Sequence, residues 1–242
     1  PPLVTEALRE LFASGAGLQH GFTTPLQVEL AEIVCRTTGL ERVRFTTSGS
    51  LATMYAVFLA RAFTGRTHIM KVGGGWHGGQ PWGLVGVEYH DQAHGHRKAD
   101  ETSHFRHAES AGLPEAVPHE VVVTRFNDVA MLREHFRRHG DHVACFIVEP
   151  MLGAGGGIPA TTEYLQEARA LTEKHGALLV CDEVICGYRF HAGLACHLLG
   201  VLPEKVSINP QLCFGCGVCR AACPAEAISL VPRKASVAAD IW

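Results

Sequence analysis

From Pro25 onward, apolar positions recur with helical spacing through "LQVELAEIVCRTTG", which predicts a helix closed by Gly39. The alternation in "RVRFT" predicts a short strand. "LATMYAVFLARAF" predicts a second helix, and "HIMKV" a strand that runs into "GGGWHGG". Beyond a long polar stretch, "EVVVTRF" predicts a strand and "NDVAMLREHFRRH" a helix capped by Asn127 or Asp128. "VACFIVEP" and "ALLVCDEV" predict buried strands. Between them "TTEYLQEARALTEKHG" predicts a helix with Gly176 past its end. Strands alternating with helices imply an α/β fold, a mostly parallel sheet with helices on both faces. Right-handed crossovers then place the ends of "RVRFT", "HIMKV", "FIVEP" and "LLVCDE" on one rim, where such sheets bind ligands.

That rim carries candidate chemistry. In "TTSGS", the N–H groups of Gly49 and Ser50, the Ser50 hydroxyl and a helix N-terminus could hold a phosphate, although a capped helix start uses the same residues. Trp76, flanked by small residues, suits stacking on a flat ring, or equally the filling of a gap in a loop. Asp182 ends an apolar strand, where a carboxylate needs a partner. A protonated pyridine nitrogen is one such partner; a helix cap or a salt bridge is another. Glu149 ends a neighbouring strand and could orient the site from behind. Phosphate cradle, aromatic ring and acid, in that chain order, suit pyridoxal phosphate better than a nucleotide. No G-x-x-x-x-G-K-[ST] occurs.

From about Gly15 to Pro203 the chain resembles the large domain of class-III aminotransferases of the glutamate-1-semialdehyde aminomutase type. "GFTTPLQVELAE", "VRFTTSGSLATMYAVFLARAFTGR", "GGGWHGG", "RFND", "CFIVEPMLGAGGGIP" and "LTEKHGALLVCDEVICGYRF" stand in the family's order. The resemblance implies a fold-type I large domain. It places Ser48, Gly49 and Ser50 at the phosphate, and Trp76, before His77, as the stacking aromatic. Asp182 falls at the pyridine nitrogen, Val184 near the other ring face and Glu149 close by. Where the family has Asn-Ser-Gly-Thr-Glu-Ala, this chain has Thr47, Ser48, Gly49, Ser50, Leu51 and Ala52; the Asn near the cofactor hydroxyl falls at Ala154. The family's lysine, which bonds covalently to the cofactor aldehyde, has no counterpart in register. Its place is Pro210, and Lys205 lies before the expected strand. The resemblance therefore implies non-covalent pyridoxal phosphate, no catalytic lysine and doubtful transamination. It also implies a homodimer and a small amino-group substrate.

Composition changes near Leu202, and a boundary is expected between 203 and 204. Beyond it, Cys213, Cys216, Cys219 and Cys223 follow C-x2-C-x2-C-x3-C-P. This spacing resembles a bacterial ferredoxin and implies a half module over 204–242 that holds one 4Fe-4S cluster. Zinc is the rival ligand. No cysteine follows Cys223, so a fourth ligand would come from Cys223 itself or from Cys181, Cys186 or Cys196. A redox partner would follow from this reading.

Composition narrows the rest. The formal net charge of −3 gives no reason to expect nucleic acid. No apolar run approaches a membrane span, and nine cysteines without an export signal fit a reducing cytoplasm. The His-rich stretch "HDQAHGHRKADETSHFRH" reads as a polar surface loop before a metal site. Pro1 as first residue fits a fragment or a processed product. The expected function is pyridoxal phosphate binding in a transaminase or aminomutase. The alternatives are an iron–sulfur electron-transfer protein and a non-catalytic fragment.

Overall fold

The computed structural model describes residues 2–15, 23–87 and 112–202. They fall into two units, one ending at Val43 and the other starting at Arg44. The first holds α1 (Pro2–Ala13) and α2 (Pro25–Thr38). α1 is an element that the sequence reading did not name, and it buries no residue. α2 starts at a reciprocal cap: the Thr24 hydroxyl accepts from the Gln27 amide, and the Gln27 side chain accepts from the Thr24 amide. Gly39 ends it in the left-handed region, at φ 69°.

The second unit is the α/β body. α3 (Gly49–Thr64) is capped by Ser48, whose hydroxyl accepts from Leu51 N–H at 3.2 Å. β1 (His68–Val72), β2 (Val121–Thr124), β3 (Val143–Val148) and β6 (Leu178–Cys181) form one sheet in the order β2-β1-β3-β6. Every pairing is parallel. α4 (Val129–His139) is capped by Asp128 and α5 (Thr162–His175) by Thr161. A short ladder, β4 (Met151–Leu152) with β5 (Ile158–Pro159), and the one-turn helix α6 (Ala195–Leu198) complete the described elements.

β3 is buried at every residue, as its unbroken apolar run requires for a strand covered on both faces. On one face Cys145 and Ile147 cluster with Val57 and Ala60 of α3, Ile69 of β1 and Val123 of β2. On the other, Phe146 meets the Phe136 ring of α4 and the Tyr164 ring of α5 edge-on. The result is the expected three-layer body.

"RVRFT" departs from expectation. It pairs with no strand among the described residues. Arg44 instead lays its guanidinium over the Tyr55 ring, 4.2 Å from the centroid, and Thr46 donates to Ser48 O. Alternation makes a segment fit to be a strand, but a strand also needs a sheet edge within its reach. The strand predicted over "EVVVTRF" is shorter than that segment, running from Val121 to Thr124. The His-rich stretch, the 203/204 boundary and the ferredoxin-like segment lie outside the described residues. Among the described residues no helix is long and apolar enough to cross a membrane.

Candidate functional site

Because the strands are parallel, β1, β2, β3 and β6 all end on the same rim. From β1 the chain turns one way to β2, then crosses back to β3 and β6 on the other side. The rim between β1 and β3 is therefore the switch point of the sheet, the usual place for a ligand. Four segments meet there: the start of α3, the glycine loop after β1, Glu149 after β3, and Asp182 to Val184 after β6.

The glycine loop is fastened to α3 from below. Thr53 Oγ1 donates to His77 O at 2.7 Å, and Gln80 Nε2 donates to Ser50 O at 2.9 Å. Gly78, at φ 97°, lets the two backbones touch; a Cβ there would stand 2.7 Å from Ser50 Cα. Gly73, Gly75 and Gly78 have the G-x-G-x-x-G spacing of dinucleotide loops. The chain then enters a 3-10 turn, Pro81–Leu84, so no α-helix N-terminus follows to face a pyrophosphate. The anion-seeking terminus at this rim belongs to α3. There Ser48 satisfies Leu51 N–H, and the Gly49 and Ser50 amides are among the first N–H groups that lack an intrahelical carbonyl.

Two buried carboxylates hold the loop from the other side. Asp182 Oδ2 accepts from His77 Nδ1 at 2.8 Å, with both side chains out of water. Asp182 Oδ1 accepts from Val184 N–H at 3.1 Å, which turns Val184 toward α3. Val184 fills the space that a side chain on Gly49 would need: a Cβ there would come within 2.8 Å of it. Glu149 Oε1 accepts from Trp76 N–H and Oε2 from Gly153 N–H, both at 3.0 Å. Burial pushes the Glu149 carboxyl above its ordinary range, and the two amide bonds oppose that shift.

The structure thus brings Ser48, Gly49, Ser50, Trp76, His77, Glu149, Asp182 and Val184 to one rim. The ring of Trp76 and the side chain of Val184 stay uncovered, at 43% and 59% exposure. The sequence reading missed Thr53, Gln80 and Gly153, whose bonds set the loop, and Glu183, which clamps the start of α6 through the amides of Ala195 and Cys196. The glycine cluster was a signal for a close approach; nothing local marked Gln80 or Glu183.

Pyridoxal phosphate suits this donor set. His77 Nε2 is buried with no hydrogen-bond partner among the described residues, so the rim carries a bare polar atom. Glycine at 49 and 78 lets Val184 and Ser50 pack against the backbone, which draws the start of α3, the loop and the turn after β6 together at the rim. Backbone N–H groups, a buried carboxylate and two exposed apolar surfaces supply what an anionic phosphate, a ring nitrogen and two ring faces require.

The class-III aminotransferase family model matches residues 1–232. The glutamate-1-semialdehyde 2,1-aminomutase of Thermoplasma acidophilum is 37% identical over 209 residues, 86% of this chain and 47% of that protein. The same enzyme of Nitrosomonas europaea is 38% identical over 211 residues, 84% of this chain and 46% of that protein. The chain spans about half the length of the curated relatives it matches. Among solved structures, a transaminase with PLP bound matches with a TM-score of 0.71 at 35% identity, over 84% of this chain and 45% of that one. An omega-transaminase from Sphaerobacter thermophilus matches with a TM-score of 0.74 at 30% identity and the same coverage of both chains.

These findings correct the iron–sulfur expectation. The family model runs through the cysteine run to residue 232, so that run stands inside a class-III match and not beyond it. Among the described residues no group of three or more His, Cys, Asp or Glu could hold a metal. Cys213, Cys216, Cys219 and Cys223 lie outside the described residues. The cysteines expected to help them are engaged elsewhere. Burial pushes the Cys186 thiol up to about 12, and the neighbouring Cys181 thiol together with burial pushes that of Cys196 well above its ordinary range. A protonated thiol is a poor iron ligand. The 4Fe-4S cluster, the ferredoxin likeness and the redox partner are withdrawn. With the sheet order, the rim and the family match in agreement, the chain belongs to the class-III aminotransferase family.

Proposed function

We propose that this chain is the cofactor-binding part of a pyridoxal-phosphate-dependent aminomutase or aminotransferase that acts on a small amino-group substrate as a homodimer. The buried His77–Asp182 pair carries the reading, because it sets a carboxylate at the switch point beside the start of α3. Gly49 and Ser50 would hold the phosphate through their amides, with Ser48 fixing the turn. Trp76 and Val184 would face the ring. Asp182 would meet the ring nitrogen, its carboxylate oriented by His77. Glu149 holds the Trp76 backbone and so positions the stacking residue. Bound there, pyridoxal phosphate supplies an electron sink that weakens the bonds at the substrate's amino-bearing carbon.

The names of the relatives at 37% and 38% identity favour the aminomutase activity over that of the omega-transaminase at 30%. Uncovered apolar side chains at Ile185, Tyr188 and Phe190 support a partner surface close to the site. Nine cysteines suit a reducing cytoplasm. On the reading that no lysine stands in register with the family's, binding is expected to be non-covalent and transamination negligible.

The test is titration with pyridoxal phosphate, followed by borohydride reduction and peptide mapping. Spectral binding that survives in wild type, weakens at least about tenfold in Asp182→Asn and leaves no reduced lysine adduct is expected. A stoichiometric adduct at Lys205 would refute non-covalent binding. Identical titrations of wild type and Asp182→Asn would remove Asp182 from the site.

A further inference from the structure

β1 buries a cation. Lys71 is fully enclosed, just before the glycine loop, and shares its face of the strand with Ile69, which clusters with Trp82 and Val85. The cofactor site as proposed does not use it. Its ammonium donates to Gly83 O and to Val85 O, both at 2.8 Å. These carbonyls belong to the 3-10 turn Pro81–Leu84 and to the residue after it. Gly74 N–H donates to Gly86 O at 2.9 Å, so the chain from the glycine loop through the turn comes back to the end of β1. Lys71 holds the inside of that closed loop. The turn's own bond, from Val85 N–H to Trp82 O, is long at 3.4 Å and holds Trp82 weakly. The two charge-assisted bonds are the stronger tie.

The loop carries His77 on one limb and Trp82 on the other. Their rings lie 25° from parallel, with centroids 6.3 Å apart. His77 Nδ1 in turn donates to Asp182 Oδ2 at 2.8 Å. Burying an ammonium is costly, and an apolar side chain would fill the same space without that cost. An apolar side chain could not hold two carbonyls at once. We propose that Lys71 is a positioning residue for the ring end of the cofactor site: through Gly83 O and Val85 O it sets Trp82 behind His77, and so keeps the Asp182 carboxylate in place at the rim. The inference rests on the reading that Asp182 meets the ring nitrogen. Lys71 acts through the turn, from inside the fold.

The test uses the full chain, without and with ligand. Without ligand, the His77 Nδ1 proton is read by NMR on histidine-labelled protein. Wild type should show it far downfield, as a proton held between imidazole and carboxylate. Lys71→Met should move it upfield or lose it to exchange with water. Lys71→Gln, whose amide can still donate to a carbonyl, should fall between. Trp82→Leu leaves both carbonyl bonds in place and removes the ring behind His77, so it should reproduce the Lys71→Met spectrum; it also tests the route should Lys71→Met fail to fold. With ligand, the titrations compare pyridoxal phosphate with its deaza analogue, which has C–H in place of the ring nitrogen. Lys71→Met should weaken pyridoxal phosphate about tenfold and leave the analogue within about twofold of wild type. A loss of stability alone would weaken both ligands alike and leave the His77 signal of the folded protein unmoved. An unmoved signal in folded Lys71→Met or Trp82→Leu, or equal weakening of the two ligands, would overturn the positioning role. Equal affinity of wild type for both ligands, with the His77 signal shifted in the variants, would instead overturn the reading of Asp182 and with it the role of Lys71 toward the cofactor, while the link from Lys71 to His77 stands.

Discussion

Asp182 and Glu149 lie at strand ends, out of water, while Glu134 and Glu167 lie on the outer faces of α4 and α5. All four are carboxylates with close partners, but the partners differ. The outer pair meets guanidinium groups: Arg133 on Glu167, and Arg137 and Arg138 on Glu134. These contacts hold the Glu134 carboxyl down at about 2, yet they join residues on one helix or on two adjacent helices, and water screens them. The rim pair meets no guanidinium among its described partners. It meets an imidazole and backbone N–H groups drawn from β1's loop, β3's turn and β6's turn. Charge placed where it is costly, and answered by dipoles from distant segments, fixes tertiary geometry. Charge on an outer helix face does not.

Asp182→Ala should show the largest effect. It strands the His77 ring in the interior and frees the turn at Val184, for an expected loss of about 3 kcal/mol of unfolding free energy by urea denaturation. A loss within error would put Asp182 on a par with the surface carboxylates and collapse the contrast.

Glu149 offers a sharper, smaller test. Its carboxyl lies above the ordinary range in the native state because burial disfavours its charge. The native protein therefore holds this proton more tightly than the unfolded chain. The stability so contributed is fully present below the unfolded carboxylate pKa and is lost as pH rises through the native one. Relative to Glu149→Gln, wild type should lose stability as pH is raised from about 4 to about 7. The opposite slope in urea midpoints would mean that the amide bonds outweigh burial. At the bottom of the scale, Arg133→Ala should leave the thermal midpoint indistinguishable from wild type, with or without added salt. A clear drop would show the outer pairs to be structural after all.

The sequence made the body legible where local physics decides it. Ser48, Asp128 and Thr161 each cap the helix that their residue type announces, and β3's unbroken apolar run is buried throughout. Asp182 and Trp76 were visible for the same reason, since an acid that ends an apolar strand and an aromatic set among glycines are locally anomalous. What joins them was not visible. The bond from His77 to Asp182 spans 105 residues, and only the register β1-β3-β6 brings its ends together. "RVRFT" pairs with no strand among the described residues, and local pattern cannot report whether a sheet edge lies within reach. The cysteine run misled in a different way: a local spacing stood out as a module of its own, although the class-III match runs through it to residue 232.

The order of the strands has a kinetic side. Cys145 of β3 pairs with Leu178 of β6 across one short crossover through α5, whereas His68 of β1 reaches Val143 across a far longer loop. Loop-closure entropy favours β3-α5-β6 as the earliest unit to assemble. Glu149 and Asp182 both belong to that unit, so they stand in water until β1 docks and brings Trp76 and His77. The rim is then completed after the folding barrier. A substitution such as His77→Ala should accelerate unfolding and leave the refolding rate near that of wild type, which stopped-flow chevron plots would resolve. Equal slowing of refolding would place β1 inside the nucleus.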